Sequence, residues 1–289
     1  MPELPEVETI RRGLVENIIG KSIKRIDVSE AKSFVGRVSD IDGARITSLS
    51  RRGKLLIIET TKQYITIHLR MTGQLIYVGA ASRFGGGHPT DSLTGPLPDR
   101  HTRITFEFSD GSHLYFNDQR KFGFVQLLDA QGLKNLPFLQ TLGPEPLDPN
   151  LSTNQFIERF SRKGKSNIKA ALLDQHTIAG IGNIYADESL FLAQIHPETP
   201  VSTLNHADFD RLLTSIRASL NASLDSGGST METYRKADGT KGDYLEKFAN
   251  VFGRVGQPCP VCGTPIKKIR VAGRGTHFCP TCQPLSLPK

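Results

Sequence analysis

The residues whose type and spacing most clearly suit chemistry are four cysteines, arranged as Cys259-x-x-Cys262 and Cys279-x-x-Cys282. Each pair can clamp one edge of a tetrahedral ion from a tight turn, and Pro265 to Phe278 is long enough for a hairpin that closes the other edge. Disulfides or redox chemistry are the alternatives. A secreted chain would need an export signal, and Met1 to Glu8 is acidic and proline-punctuated instead of charged and then apolar. The expected cofactor is therefore one structural zinc, which holds the fold and does no chemistry because four thiolates leave it no open position. The same stretch is cationic. From Gly253 to Lys289 there are six basic residues (Arg254, Lys267, Lys268, Arg270, Arg274, Lys289) and no acidic one, in a chain of net charge +7. Such charge fits nucleic acid, and it fits lipid headgroups less well because the stretch has no amphipathic helix to insert.

These residues need a scaffold, and 289 residues predict about two domains. Val7, Ile10, Leu14 and Ile18 recur at helical spacing behind Pro5, which predicts a helix over 5–18. From Lys54 to Leu128 the pattern changes to short strands: 55–59, 64–69, 75–78, 103–108, 113–116 and 122–128, with a hairpin turn at Asp110-Gly111. Strands at this density suggest an antiparallel sandwich or barrel. Gly79 to Asp99, rich in Gly, Ser and Pro, reads as a mobile surface loop, and the prolines of 142–149 as a domain boundary. Beyond it, helices are expected at Ser152-x-x-Gln155, a capping box, at 167–175, at 184–193 and at about 207–224, where Gly227-Gly228 stops the last. No apolar run reaches membrane-spanning length, so a cytoplasmic protein with no membrane partner is expected.

The motifs carry a more specific message. The chain begins Met1-Pro-Glu-Leu-Pro-Glu-Val-Glu-Thr-Ile-Arg-Arg-Gly13 and continues through Arg51-Arg-Gly-Lys54, His68-Leu-Arg-Met-Thr-Gly73 and Asp118-Gln-Arg-Lys-Phe-Gly123. Leu142-Gly-Pro-Glu-Pro146, Ala179-Gly-Ile-Gly-Asn-Ile-Tyr-Ala186 and Val271-Ala-Gly-Arg-Gly-Thr-His-Phe-Cys279 follow. In this order and over nearly the whole length, the sequence resembles the formamidopyrimidine-DNA glycosylases, bacterial enzymes that remove oxidised purines from DNA. The resemblance implies a multidomain α and β protein. An N-terminal antiparallel β-sandwich with a flanking helix would occupy 1–130, a linker 131–150 and a helix-two-turns-helix DNA-binding domain 151–228. A flexible lesion-capping segment would follow at 229–252, and a four-cysteine zinc-finger β-hairpin with its tail at 253–289.

It also implies roles. In that family the initiator methionine is removed and the amine of the exposed proline, here Pro2, attacks the sugar of the damaged nucleotide. Glu3 would be the general acid and base, with Glu6 a second carboxylate at the helix start; capping is the alternative for both. Lys54 would lie beside the attacked sugar and assist β-elimination. Arg274 would hold the phosphate flanking the lesion and donate the proton of the δ-elimination. Met71 and Phe122 match the wedge that fills the gap left by an extruded nucleotide. Arg120 would face the orphaned base, its donors suiting the two adjacent acceptors of cytosine. Asn183, His101, Lys165 and Lys169 would contact DNA, and His68 is either a phosphate contact or a core histidine.

The implied function is a bifunctional DNA glycosylase and abasic-site lyase, monomeric and acting on damaged double-stranded DNA held in the cleft between its domains. Alternatives are an endonuclease VIII-like enzyme for oxidised pyrimidines, whose members typically begin Pro-Glu-Gly-Pro, and a zinc-dependent damaged-DNA-binding protein without catalysis. The sequence departs from the family pattern at Gln119, usually proline, at Lys121, usually arginine, and in a longer glycine-rich insertion around Gly85 to Gly87. Glu232, in the capping segment, is at a position whose charge varies within the family.

Overall fold

Helix α1 (Leu4–Ile18) forms where the apolar spacing requires it and buries Val7, Ile10, Leu14 and Ile18 completely. Pro5 occupies its first turn, where a missing N–H costs nothing, and Glu3 and Glu6 form a capping box in which the Glu3 N–H donates to Glu6 Oε2 at 2.8 Å. The computed structural model describes residues 1–227 and 249–285, which fall into two units, one built on Met1–Gln140 and one on Thr141–Asp225 with residues 249–285. Residues expected to cap the lesion, Glu232 among them, lie outside the described residues up to 248, as does Lys289.

The first unit is a sandwich of two five-stranded sheets. One contains, in spatial order, β1 (Ile23–Val28), β8 (Thr102–Phe108), β9 (His113–Asp118), β6 (Gly73–Val78) and β7 (Arg83–Gly87). The other contains β2 (Phe34–Val35), β10 (Phe124–Leu128), β5 (Tyr64–His68), β4 (Leu55–Thr60) and β3 (Ile46–Arg52). Pairing among the described strands is antiparallel except for the short β2, which runs parallel to β10. The inner faces meet through Leu56, Ile58, Ile65, Ile67, Leu75, Ile104, Phe106, Phe116 and Val125, and α1 packs on β7 and β3. Gly13 makes that docking possible, because a Cβ there would lie 2.1 Å from the Phe84 ring.

The stretch 79–99, expected as a mobile loop, is instead ordered. Strand β7 pairs Gly85, Gly86 and Gly87 with Ile76, Leu75 and Gln74, and the glycines are buried. The following excursion folds back over the outer face of its own sheet, where Leu93 and Leu97 pack with Ile76, Val78 and Tyr115. Arg83 bonds the carbonyls of Ser92, Leu93 and Gly95, and Gln74 donates to Thr90 Oγ1 at 2.9 Å. Glycine is required at Gly87, whose φ is +124° and where a Cβ would stand 2.3 Å from the Gly73 carbonyl oxygen.

In the second unit, the Ser152–Gln155 capping box starts α4 (Thr153–Glu158), and Asn167 caps α5 (Ile168–Leu173) through the Ala170 N–H. Helix α6 (Asn183–Leu192) is buried around nearly its whole surface and packs on α7 (His206–Asp225), whose apolar face carries Phe209, Leu212, Leu213, Ile216 and Leu220. The proline-rich stretch at the boundary is docked: Gly143 N–H bonds Gln175 O at 2.8 Å, and Arg217 bonds the carbonyls of Pro146, Asp148 and Leu151. Helices α2 (Ala130–Lys134) and α3 (Pro137–Thr141) precede it. Strands β11 (Lys267–Val271) and β12 (Arg274–Phe278) form the hairpin between the cysteine pairs.

Gly87→Ala is expected to lower the Tm more than Gly111→Ala. The latter adds only left-handed strain of about 1–2 kcal/mol, whereas the former must also displace a strand backbone. Equal Tm values in calorimetry would show that β7 is not packed this closely.

Candidate active site and DNA interface

In the first unit, α1 holds Pro2 and Glu3, both buried, just ahead of its first turn, while Met1 is 44% exposed. Glu6 is tied to the Glu3 backbone by the capping box, so its carboxylate holds Glu3 in place. Two residues further on, Glu8 binds Arg11 (2.8 Å), Arg12 (3.0 Å) and Arg51 (3.2 Å). Burial works to raise the Glu8 pKa, but the hydrogen bonds from Arg11 and Arg12 and the charges of Arg11 and Arg51 outweigh it and hold the pKa at about 2. Arg51 in turn donates to Gly53 O at 2.7 Å, fixing the tight turn (Gly53 φ +56°) that delivers Lys54 to β4. Lys54 is buried, and its charge acts on His68.

His68 is a core histidine. Burial, then the charges of Arg70 and Lys54, push its pKa down to about 3, so the ring is neutral at physiological pH. Its Nδ1 accepts the Arg70 N–H at 3.0 Å, and the ring packs against Phe124 and Phe138. It offers no positive charge to phosphate.

The residues expected to form the wedge come from two turns joined by one buried carboxylate. Asp118 Oδ2 accepts the N–H groups of Phe122 (2.8 Å) and Gly123 (2.7 Å), and Oδ1 accepts that of Arg120 (3.1 Å) and the Thr72 hydroxyl. Thr72 also accepts the Arg120 N–H at 3.0 Å, which fastens the Met71 turn to the Arg120 to Phe122 turn. Met71 is half-buried, Arg120 is exposed with its guanidinium 4.8 Å over the Phe122 ring, and Phe122 itself is 55% exposed. His101 follows the excursion, its N–H bonded to Asp99 Oδ1 at 2.7 Å, and lines a cavity of about 420 Å³ with Ser92, Arg100 and Gln119.

In the second unit Lys165 is exposed before α5. Lys169, expected to touch DNA, is fully buried. It pairs with Asp187 at 2.6 Å and bonds Thr276 Oγ1 at 2.7 Å, so its role lies inside the protein. Asn183 donates Nδ2–H to Gly275 O at 3.0 Å, linking the glycine turn to the β11–β12 hairpin. Arg274 is exposed at the head of β12, directly after Gly273 (φ +74°). The four cysteine sulfurs lie within 4.8 Å of one another, with Cys259–Cys282 at 3.9 Å and Cys262–Cys279 at 3.4 Å. A tetrahedral zinc with Zn–S bonds of about 2.3 Å needs S···S edges of about 3.8 Å, so the cage fits one zinc and has no ligand position to spare.

Comparison with known proteins agrees with this geometry. Residues 1–125 match the formamidopyrimidine-DNA glycosylase N-terminal domain, 142–235 the H2TH domain of the same enzymes, and 256–285 the zinc finger found in FPG and IleRS. A formamidopyrimidine-DNA glycosylase of Symbiobacterium thermophilum is 42% identical, covering 99% of this chain and 90% of its own. One of Exiguobacterium sibiricum is 41% identical, covering 99% of this chain and 100% of its own. The chain belongs to the formamidopyrimidine-DNA glycosylase family. Among solved structures, a Lactococcus lactis FPG mutant bound to Fapy-dG-containing DNA superposes with a TM-score of 0.84 at 36% identity, covering 98% of this chain and 100% of that one. The L. lactis enzyme with abasic-site DNA superposes at 0.83 and 35%, covering 98% and 99%.

In this glycosylase the supporting carboxylates Glu8, Asp118, Asp187 and Glu188 were given no role by the sequence motifs. Asp118 heads one of the quoted motifs, but its work is to accept backbone N–H groups, which spacing does not display. Glu188 is of the same kind: it is buried and takes the N–H groups of Asn250, Val251 and Phe252. Among the described residues no helix is long and apolar enough to cross a membrane.

Two outcomes follow from these contacts. Because the folded pKa of Glu8 lies below its unfolded value near 4.3, its stabilisation is complete above that value and is lost as pH falls toward about 2. Glu8→Gln should therefore have a lower Tm than the parent at pH 7, with the two converging near pH 2; parallel Tm curves would contradict this. Chelation of zinc should unfold the hairpin and abolish DNA binding, seen as coincident loss of bound metal and of gel-shift affinity.

Proposed function

We propose that this protein is a bifunctional DNA glycosylase and abasic-site lyase of base excision repair, acting as a cytosolic monomer on damaged double-stranded DNA. It removes oxidised purines, 8-oxoguanine opposite cytosine and formamidopyrimidines, through a Schiff base on Pro2 and then cuts by β,δ-elimination. The observation that carries the reading is the pairing, on one unit, of Pro2-Glu3 ahead of α1 with an exposed Phe122 on a turn fixed by Asp118. That unit combines a nucleophile with a wedge, and a base that is to be attacked must first leave the stack.

Once Met1 is removed, Pro2 offers a secondary amine. An α-amino group titrates near 8 against about 10.4 for lysine, so roughly a tenth of it is free base at pH 7. Attack on C1′ expels the base, and the nitrogen lone pair then opens the sugar to a cationic iminium while Glu3 delivers a proton to the ring oxygen. The iminium acidifies C2′–H, and loss of that proton expels the 3′ phosphate. Lys54 assists this β-elimination beside the sugar. Arg120 meets the orphaned cytosine, and Arg274, Lys165 and His101 grip phosphate. Zinc keeps the hairpin folded.

A second reading concerns substrate range. A solved complex of L. lactis Fpg, 36% identical, contains an oxidised pyrimidine in its DNA, which supports activity on such lesions as well.

Borohydride should trap the parent covalently on abasic-site DNA, with Pro2→Gly losing the adduct and most strand cleavage. Intact mass fixes whether Met1 is absent in the sample. An adduct mapped to any residue other than Pro2 would overturn the proposal, and excision of thymine glycol ahead of 8-oxoguanine would overturn its substrate assignment.

A further inference from the structure

The most completely buried ion pair among the described residues is Lys169 with Asp187, both side chains at 0% exposure. Removing two charges from water costs several kcal/mol per ion unless their remaining hydrogen-bonding positions are filled. Here they are filled by the hairpin. Asp187 Oδ1 takes the Lys169 ammonium at 2.6 Å, and Oδ2 takes the His277 backbone N–H at 2.8 Å, with His277 Nδ1 at 3.1 Å. The ammonium continues to Thr276 Oγ1 at 2.7 Å and Gly275 O at 3.3 Å, and Asn183 reaches the same Gly275 carbonyl at 3.0 Å. The three residues that follow Arg274 are thus each tethered to α5 or α6, while Arg274 stands exposed one position beyond the last tether.

We propose that Asp187, with Lys169 as its counterion, is a positioning residue for Arg274 and so sets how far strand cleavage proceeds. The inference rests on the reading that Arg274 holds the phosphate expelled in δ-elimination. In that step C4′–H loses its proton, the electron pair forms C4′=C5′, the C5′–O5′ bond breaks, and the departing phosphate leaves on the upstream fragment, taking up a proton. The β-elimination that precedes it breaks C3′–O3′ and does not need Arg274. Misplacement of the guanidinium therefore changes the ratio of the two products. A lower fraction of active enzyme cannot do so, because both products come from the same molecules.

The test uses the full chain on duplex DNA carrying one labelled abasic site, with β and β,δ products resolved by gel, and Tm and bound zinc measured in parallel. Asp187→Asn should lower the β,δ to β ratio by about ten- to a hundredfold, the scale of an ångström-sized misplacement, while β product still forms. Should this variant fold poorly, because it leaves Lys169 buried without its counterion, Thr276→Val removes only the hydroxyl acceptor and should lower the same ratio. Arg274→Ala is measured beside them. If Arg274→Ala keeps the β,δ product, the reading of Arg274 fails. If it loses that product while folded Asp187→Asn or Thr276→Val keeps the parental ratio, the inference about Asp187 is overturned.

Discussion

A carboxylate taken out of water must be surrounded by donors, and in both units of this protein loop backbone supplies them. Asp118 has no exposure and collects N–H groups from Arg120, Phe122 and Gly123. Asp187 and Glu188, adjacent on α6, collect those of His277 and of Asn250 to Phe252. Bonds of this kind, with a charged acceptor, are shorter and about twice as strong as neutral ones. They give exposed segments without a core of their own the rigidity of the sheet or helix that carries the carboxylate. Side chains proposed to meet DNA, Phe122 and Arg274 among them, are thus carried on held backbone without being buried themselves.

This division explains what could be read from the sequence. Helix α1, the strands around β4, β5, β8 and β9, the capping box at Ser152 and the thiolate cage all rest on local spacing, and the sequence displays them directly. Strands β1 and β3 were hidden because their buried residues, Ile23 and Ile26 in one and Ile46 and Leu49 in the other, fall three apart, which breaks the two-residue alternation. Strand β7 was hidden because Gly85 to Gly87 carry no side chains, and only the approach of β6 and α1 makes a strand of them. Lys169 looks like a surface cation in the sequence, and His68 could be a phosphate contact or a core histidine, since burial and the partners that make one a buried counterion and the other a neutral ring come from the fold. The candidate site residues stand out as motifs, and the roles of the groups that support them do not.

The zinc finger shows the same economy from the opposite direction. Its apolar cluster consists of Phe191, Val251, Ile266, Cys259 and Cys279, with two of the five residues themselves metal ligands. A hairpin of this size cannot bury enough surface to offset the entropy of ordering it. Zinc supplies the missing cohesion from the cysteine end of the hairpin, while Asp187, Lys169 and Asn183 fasten the strand near its turn. With both ends fixed, the strand between them has little freedom, and Arg274 stands one position beyond the last tether.

Phe122 then becomes intelligible. Leaving a phenylalanine 55% exposed forgoes part of the roughly 1.5–3 kcal/mol that burying it would yield. The turn that presents it also places Lys121 in the left-handed region at φ +57°. Within the protein, the Arg120 guanidinium stacks over the ring, Lys121 pairs with Glu30, and Asp118 holds the turn through the Phe122 and Gly123 N–H groups. An apolar surface arriving at that point would cover the ring, and in the proposed function an opened base step is that surface. Under the proposed wedge role, a turn that Asp118 fixes before DNA arrives leaves little ordering entropy to be lost on insertion, so more of the stacking energy would go to holding the nucleotide outside the helix.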